Sequence, residues 1–191
     1  MVLDGTEREL IENCQQGDRD SFRALFEAHK DKVYSIALRY SGDSAIAMDI
    51  AQETFLKLFS AIRDFRGEAS FESWLYRMVV NSCLDQKRRK RRLLPLMDAF
   101  VDALRASGES VLHKLLRAEL SERVQAAVRT LPDEQRMVVV LRYTQGLSYE
   151  EIADALGCST GTVASRLNRA HKVLERRLAH VVAAQGGRGG K

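Results

Sequence analysis

Apolar residues recur at intervals of three and four along almost the whole of this 191-residue chain. From Phe22 to Tyr40, for example, they mark one face of a long helix. The chain contains only two prolines, Pro95 and Pro132, and no segment alternates between apolar and polar residues as a half-buried strand would. These patterns predict an all-α protein.

Helix start and stop signals divide the chain. N-caps are expected at Asp18, Ser44 and Ser70, and Gly42 is expected to end the second helix. After the long fourth helix, the periodicity loosens and then resumes. We therefore expect two small helical domains joined by a linker: a first domain at 1–92, a linker at 93–117, a second domain at 118–180 and a flexible tail at 181–191.

Composition limits the classes of function. The chain is 45% hydrophobic and 29% charged, as in folded soluble proteins, and has no apolar run long enough to span a bilayer. An acidic start without the order of a signal peptide, and an odd number of scattered cysteines, indicate a cytoplasmic protein with reduced thiols. No metal-binding or catalytic motif is visible. We expect no enzyme, no cofactor, no metal and no small-molecule substrate.

Charge is distributed unevenly along the chain. Residues 1–86 contain 15 acidic and 10 basic residues, whereas residues 119–191 contain 8 acidic and 11 basic ones. Between them, six consecutive basic residues run from Lys87 to Arg92, in a chain whose formal net charge is only +4. This distribution indicates a protein that contacts different partners on different faces. Taken alone, the basic run fits either nucleic-acid binding or a solvated helix end.

The sharpest local motif is LSYEEIADALGCSTGTVASRLNRAHKVLERRL, residues 147–178. Ser148 and Glu151 have the spacing of a capping box, and Gly157 suits a left-handed turn between two helices. The motif predicts a helix-turn-helix that binds DNA, the alternative being an αα-hairpin with a solvated basic face. Short polar and basic residues on the second helix suit bases and phosphates: Thr162, Ala164, Ser165, Arg166, Asn168, Arg169 and Lys172.

Two stretches of the first domain have no role in an ordinary DNA-binding regulator. In MDIAQETFLKLF, the apolar stripe is expected at Met48, Ala51 and Phe55. A separate face of the same helix carries Asp49, Gln52, Glu53 and Leu56. Taken alone, that face is more typical of a solvated helix surface than of a binding surface. The other stretch, FRGEASFESWLYRMVVNSCLDQKRRKRR, joins aromatic residues, an asparagine and the basic run in one loop and helix.

The chain closely resembles the extracytoplasmic-function (ECF) sigma factors of the bacterial sigma-70 family. The resemblance rests on DIAQETFLKLF, FRGEASFESWLYRMVVN and LPDEQRMVVVLRYTQGLSYEEIADALGCSTGTVASRLNRA, and it spans about residues 7–178. In that family the first helical domain binds RNA polymerase and the −10 promoter element, and the last one binds the −35 element. The resemblance implies a subunit that directs core polymerase to promoters and nucleates melting.

The resemblance also implies site residues in the first domain. Asp49, Gln52, Glu53 and Leu56 resemble the surface that docks on the coiled coil of the polymerase β′ subunit, where an acidic face suits a basic partner. A pocket for a flipped-out −10 base is implied at Phe65, Arg66, Gly67, Ser70, Phe71, Arg77 and Asn81. Within this set, Asn81 is expected to read the base edge and Arg77 to hold the strand backbone. Trp74 is expected to pack in the core.

In the second domain the resemblance assigns base contacts to Ala164, Ser165 and Asn168. It assigns backbone contacts to Thr162, Arg166 and Arg169. Many relatives have Arg or Lys where this chain has Ala164, which shifts discrimination there toward apolar contact, for example with a thymine methyl. The basic run is expected to bind phosphates of the neighbouring duplex through Lys87, Arg88, Arg89, Arg91 and Arg92.

The family implies three partners: core RNA polymerase, through the β′ coiled coil and the β flap, promoter DNA, and an anti-sigma factor. No membrane insertion is expected. The main alternative is a two-domain helix-turn-helix regulator that binds duplex DNA without polymerase, in which Asp49 and Glu53 have no role. A second alternative is a sigma-like adaptor that has lost promoter recognition, against which Asn81 and the basic recognition helix argue.

Overall fold

Every regular element that the structure describes is helical. The computed structural model describes residues 5–93 and 122–186, and the absence of strands from these stretches confirms the all-α prediction. The elements are α1 (Gly5–Gln15), α2 (Arg19–Ser41), α3 (Ser44–Ala61), a 3₁₀ turn (Ile62–Asp64), α4 (Phe71–Leu93), α5 (residues 122–129), α6 (Asp133–Thr144), α7 (Tyr149–Leu156) and α8 (Thr160–Gly186). The predicted linker, 93–117, lies outside the described residues apart from Leu93. None of the described helices is long and apolar enough to cross a membrane.

Capping residues set the helix ends in the N-terminal half, residues 5–93. Asp18 caps α2 by accepting a hydrogen bond from the Ser21 backbone N at 3.0 Å, and its hydrogen bonds to Ser21 lower the pKa of its carboxyl group. Gly42 ends α2 at a φ of 72°, which residues with a Cβ rarely adopt. The cap of α3 is Asp43 and not Ser44 as predicted, because the Asp43 carboxylate accepts two backbone hydrogen bonds in the first turn.

The four long helices of the N-terminal half enclose one apolar core. Its largest members are at most 1% exposed: Leu25, Ile36, Leu58, Phe71 and Leu75. Burying one such side chain contributes about 1.5–3 kcal/mol to stability. On α3 the predicted stripe is correct at Ala51 and Phe55, but Met48 is 50% exposed. The stripe begins instead at the buried Ala47, which lies one turn before Ala51, and it includes the buried Ile50, three residues after Ala47 on the same face.

The helix-turn-helix prediction is confirmed in the C-terminal half, residues 122–186. Ser148 and Glu151 form the capping box: the Ser148 backbone N donates to Glu151 Oε2 at 2.8 Å, and the Glu151 backbone N donates to Ser148 Oγ at 3.1 Å. Gly157 ends α7 at a φ of 62°, and Ser159 Oγ caps α8 by accepting from the Thr162 backbone N at 3.1 Å. The angle between the helices is filled by residues at most 2% exposed: Ile152, Val163, Leu167 and Ala170.

Helix α8 continues further than predicted. A flexible tail was expected at 181–191, but the helix extends to Gly186. Residues 178–185, LAHVVAAQ, contain neither glycine nor proline and include the good helix formers Leu, Ala and Gln. The helix therefore propagates until the first glycine of the terminal segment.

The two halves pack against each other, α6 against α2 and α7 against α4. We call these contacts the interdomain interface. At its centre Arg136 is only 9% exposed, and its Nη1 donates to the Tyr40 carbonyl O at 3.1 Å. The Arg136 guanidinium also lies 5.3 Å from the centroid of the Tyr40 ring, within the range of a cation–π contact. Its Nη2 donates to the carbonyl oxygens of Arg129 and Leu131 in its own half.

A second contact of the interdomain interface joins α4 to α7. The Arg77 guanidinium donates through Nε and Nη2 to the Asp154 carbonyl O, at 3.2 and 2.8 Å. Asp154 lies near the C-terminal end of α7, where helix carbonyls carry partial negative charge, and its carbonyl O also accepts from the Gly157 N–H that caps the helix. Arg77, which the sequence predicts to hold a DNA strand, therefore binds the other half of its own chain in this conformation.

Candidate DNA and polymerase interfaces

The polar face of α3 is accessible to a partner. Asp49, Gln52 and Leu56 are exposed, Leu56 to 68%. Glu53 is partly buried, and its Oε1 lies 2.9 Å from Lys57 Nζ in an ion pair. We call Asp49, Gln52, Glu53 and Leu56 the docking face. An exposed leucine among acidic and amide groups is typical of a binding surface that has an apolar anchor.

Two further apolar residues of α3 lie beside the docking face and are missing from the sequence prediction. Met48 is 50% exposed and Phe59 is 54% exposed. Met48 lies four residues before Gln52, and Phe59 lies three residues after Leu56, so all four share one side of the helix. The Phe22 ring packs edge-on against Phe59 at 4.9 Å. The four-residue spacing of Met48, Gln52 and Leu56 could have placed Met48 on the docking face. The sequence pattern predicted Met48 in the core instead, because it also fits the apolar stripe with Ala51 and Phe55.

Asn81 faces the same groove as the docking face. The groove has a volume of about 770 Å³ and runs between α3 and α4, with Leu56 and the exposed Asn81 in its lining. Lys57 joins the two helices across it, since its Nζ lies 3.5 Å from Asp85 Oδ2. The predicted polymerase contact and the predicted base reader are therefore neighbours on one surface.

The loop between α3 and α4 is built on an aromatic cluster. The Phe65 ring lies 4.9 Å from the Trp74 ring and 5.8 Å from the Phe71 ring, centroid to centroid. Phe71 is 0% exposed, so it supports the loop from the core and presents no surface to a base. Trp74 packs within the cluster, as predicted. Ser70 caps α4, its Oγ accepting a first-turn backbone N–H at 3.1 Å, and Gly67 has a φ of 71°.

Helix α1 holds the first residue of this loop. The Gln15 side-chain Nε2 donates to the carbonyl oxygens of Ile62 and Phe65, at 3.2 and 2.8 Å. A cavity of about 410 Å³ lies between α1 and the loop, and Arg66 and Gly67 belong to its lining. The loop residues predicted for the −10 site therefore border a cavity with α1, whereas Asn81 borders the groove between α3 and α4.

The basic run forms the C-terminal end of α4. Because α4 extends to Leu93, a single helix carries both Asn81 and the basic run, as predicted. Among the six basic side chains the structure describes that of Arg88, which is exposed with its Nη1 3.6 Å from Asp85 Oδ1. The side chains of Lys87 and residues 89–92 are outside the described set.

Burial raises the pKa of the neighbouring Cys83 thiol to about 12, so this thiol is protonated and inert at neutral pH.

The recognition helix α8 presents most of its predicted residues. Those exposed are Ala164, Ser165, Asn168, Arg169 and Lys172. Thr162 is partly buried, and its carbonyl O accepts from Ser165 Oγ at 2.9 Å. Arg166 differs from the prediction of an outward-facing residue, because its side chain is only 19% exposed and its Nη2 lies 2.7 Å from Glu134 Oε2 on α6. This ion pair braces the recognition helix, and a phosphate contact by Arg166 stays a prediction.

Both halves of the chain match models of known families. "Sigma-70 region 2" matches residues 25–93, and "Sigma-70, region 4" matches residues 121–174. The chain is 32% identical over 186 residues to the "RNA polymerase sigma-H factor" of Pseudomonas aeruginosa, covering 93% of this chain and 96% of that protein. It is 36% identical over 185 residues to the "ECF RNA polymerase sigma-E factor" of Escherichia coli K12, covering 91% and 94%. The chain belongs to the ECF sigma factors of the sigma-70 family.

Two solved structures share this fold. The chain aligns with CnrH, solved in complex with the cytosolic domain of CnrY, at a TM-score of 0.69 and 26% identity over 92% of this chain and 98% of CnrH. It aligns in fold with the sigma factor RpoE of Bartonella quintana, solved with the anti-sigma factor NepR, at a TM-score of 0.66 and 24% identity over 83% of this chain. This ECF sigma factor directs RNA polymerase to promoters, and a polymerase-independent regulator is not favoured.

The two family matches include most of the candidate interfaces but not helix α1. The region 2 match contains the docking face, the loop and Asn81, and the region 4 match contains the recognition helix as far as residue 174. Helix α1 precedes the region 2 match, so Gln15 lies outside it. Among the described residues of this sigma factor, no three His, Cys, Asp or Glu side chains cluster as metal ligands.

Proposed function

We propose that the docking face binds the coiled coil of the β′ subunit of core RNA polymerase. The exposed carboxylate of Asp49 and amide of Gln52 offer polar contacts to a basic helix, and Leu56 offers an apolar anchor. The exposed Met48 and Phe59 extend the apolar area on the same side of α3. The C-terminal half contacts the β flap. This sigma factor works in the cytoplasm and has no catalysis of its own, since polymerase performs the chemistry.

The first domain, 1–92, also binds the −10 element. Asn81 reads the edge of an unstacked base, since its amide both donates and accepts hydrogen bonds. Arg66, Gly67 and the α3–α4 loop hold a neighbouring extruded base of the same strand in the cavity beside α1. The basic run neutralises phosphates of the adjoining duplex. Because this site binds only the open strand, binding shifts the promoter population toward the melted state. The observation that carries this proposal is the exposure of Asn81 in the groove it shares with the docking face.

Substitution of Asn81 tests this proposal. A promoter is first selected from a random-sequence library by holoenzyme assembled from this sigma factor and core polymerase. With Asn81→Ala, permanganate reactivity of the −10 strand is expected to fall by about 10- to 100-fold at limiting holoenzyme, the effect of one lost base contact. Core polymerase binding is expected to be unchanged because Asn81 lies outside the docking face. Unaltered promoter opening in this variant would contradict the proposal.

The second domain, 118–180, binds the −35 element through α8. The residues proposed to contact bases are Ala164, Ser165 and Asn168, all exposed. Arg169 and Lys172 are exposed on the same helix and bind phosphates. Thr162 and Arg166 contact the backbone from the edge of this surface. The capping box and the turn glycine hold α8 at a fixed angle to α7, which supports insertion of α8 into the major groove.

Ala164→Arg is expected to change −35 preference. An arginine at this exposed position reaches a guanine bidentately, whereas alanine makes only apolar contact. Library selection with the variant holoenzyme is expected to enrich guanine at one −35 position by about 10-fold or more, with the −10 preference unchanged. Ala164→Met, which adds length without hydrogen-bond donors, is the control. If Arg and Met produce the same preference, Ala164 does not face a base.

The interdomain interface has to open on a promoter. The −35 and −10 elements lie about 25 base pairs apart, or about 85 Å along B-DNA. In this conformation α7 lies against α4. The recognition residues of α8 come soon after α7 in the chain, so at a helical rise of about 1.5 Å per residue they lie within about 30 Å of that contact. One molecule therefore reaches both elements only after Arg136 leaves Tyr40 and Arg77 leaves Asp154. Release of Arg77 also frees its guanidinium for the −10 strand.

An anti-sigma factor is the further proposed partner. The docking face, Asn81 and the recognition helix are exposed together in the free chain, so an inhibitor is needed when the inducing signal is absent. A protein of this fold, the sigma factor of Bartonella quintana, is solved in complex with an anti-sigma factor. A partner that binds while the interdomain interface is closed would keep the sigma factor from spanning a promoter.

A further inference from the structure

Gln15 contacts a distant part of the chain that leads directly into the loop before α4. Its side-chain amide spans 47 residues to the Ile62 carbonyl O at 3.2 Å and 50 residues to the Phe65 carbonyl O at 2.8 Å. A glutamine amide has two N–H donors, so one side chain serves both acceptors. Ile62 is the first residue of the 3₁₀ turn, and Phe65 directly follows its last residue, Asp64. Gln15 therefore fixes the place at which the backbone leaves α3.

Phe65 is held from two directions. Gln15 binds its carbonyl oxygen, and the ring of Trp74 packs against its side chain at 4.9 Å. The next residues have no such support: Arg66 is exposed, and at Gly67 a Cβ would meet no atom within 4 Å. The position of the loop tip consequently depends on the anchors at Phe65 and on the α4 cap.

Helix α1 forms one wall of the cavity beside this loop. The cavity of about 410 Å³ is lined from α1 by Ile11, Gln15 and the ion-paired Arg8 and Glu12, whose Nε and Oε1 lie 2.9 Å apart. Phe65, Arg66 and Gly67 line the other side. The lining combines the apolar Ile11 and Phe65 with the polar or charged Arg8, Glu12, Gln15 and Arg66, which suits a base with an aromatic face and a polar edge, and the size is sufficient for one base.

We propose that Gln15 is a positioning residue for the −10 site, an inference that rests on the proposed −10 function of the loop. By fixing Phe65, Gln15 places Arg66 and Gly67 opposite α1, so that the extruded base enters the cavity between them. Gln15 itself does not read the base, because its two donors are used by backbone carbonyls. Helix α1 thereby becomes part of the DNA site, although it lies outside the region 2 match.

The test uses two substitutions that differ in how they remove the contact. Gln15→Met keeps the length and removes both donors, and Gln15→Glu keeps the shape but places carboxylate oxygens against the carbonyls. Holoenzyme binding is measured to a single-stranded −10 oligonucleotide selected by the wild-type holoenzyme, and to versions with an abasic site at each position in turn. Loss of the extruded base is expected to weaken wild-type binding by about 10- to 100-fold, the usual contribution of one stacked and recognised base.

In both Gln15 variants this abasic penalty is expected to shrink to about threefold or less. Their affinity for the abasic strand itself is expected to equal that of the wild type, because the loop contributes nothing once the base is absent. Gln16→Met is the matched control: it makes the same change at the exposed neighbour and is expected to keep the full penalty. Core polymerase binding and thermal stability of each variant are recorded in parallel.

The remaining outcomes separate this inference from the function on which it rests. A full abasic penalty in Gln15→Met and Gln15→Glu overturns the positioning role and leaves the −10 function intact. Equal weakening of intact and abasic strands also overturns it, because that result indicates a general loss of structure. If the wild type shows no abasic penalty at any position, the proposed −10 function fails and the role of Gln15 fails with it.

Discussion

Replacing both Asp49 and Glu53 with alanine is expected to weaken the binding of core RNA polymerase by about 10- to 100-fold. Two carboxylates lost from an interface cost about 1–3 kcal/mol together when they face a basic partner. Asp49 is exposed and Glu53 is partly so, beside the exposed anchor Leu56. Affinity is measured by titration of fluorescently labelled sigma factor with core polymerase, at two salt concentrations because screening weakens charge attraction.

A matched control separates a local effect from the change in net charge. Glu27→Ala with Asp31→Ala removes two exposed acidic residues from α2 and is expected to leave polymerase affinity within about twofold. Each double variant loses one ion pair within a helix, Glu53 with Lys57 and Glu27 with Lys30. Because ion pairs at the surface contribute little to stability, the two variants are expected to remain folded with similar, slightly lowered thermal stability. Equal affinity of the wild type and the Asp49, Glu53 variant for polymerase would contradict the proposed docking face.

Arg136→Met is expected to open the interdomain interface. The substitution leaves the carbonyl oxygen of Tyr40 without its donor and removes the cation from above the Tyr40 ring. It also removes the hydrogen bonds that Arg136 Nη2 donates to the carbonyl oxygens of Arg129 and Leu131. Because each unpaired buried acceptor costs about 1–3 kcal/mol, we expect the free energy of unfolding to fall by about 3 kcal/mol. Fluorescent labels on the exposed Glu27 and Arg176 are expected to report a longer distance in the variant.

Arg142→Met is the control for this prediction. Arg142 donates to the Leu147 carbonyl O at 2.7 Å and lies 5.5 Å from the Tyr149 ring centroid, so it makes the same two kinds of contact within the C-terminal half. Its loss is expected to lower stability and to leave the distance between the labels unchanged. If the Arg136 variant keeps the wild-type distance, or if both variants lengthen it equally, Arg136 does not hold the two halves together.

Local features of this fold could be predicted from sequence because their causes lie within a few residues. The capping box of Ser148 and Glu151, the Asp18 cap and the left-handed Gly157 each depend on backbone groups at most four residues away. One boundary failed where two capping residues compete, at Asp43 and Ser44, and another where α8 continues past residue 180 to the first glycine of the terminal segment. The family resemblance rests on such local patterns, and therefore the fold class and the family were accessible before the structure.

The contacts that control the site were not accessible, since they join residues far apart in the chain. Arg77 lies on a helix face that suits DNA, yet its partner is a carbonyl 77 residues away. Arg166 was expected to face outward, but Glu134, 32 residues earlier, draws it toward α6. Gln15 gave no sequence signal, because a glutamine at a helix end is ordinarily solvated. A pattern identifies residues suited to a partner, and the packing decides which partner they have.

Run-off transcription measures whether this chain itself gives core polymerase the ability to start at a promoter. Core RNA polymerase, purified free of other sigma factors, is supplied with this chain and a linear template carrying the selected promoter. We expect a discrete transcript that requires the chain and that diminishes with Asp49→Ala and Glu53→Ala in proportion to lost polymerase binding. No initiation with the wild-type chain, together with unchanged polymerase binding by that double variant, would contradict it.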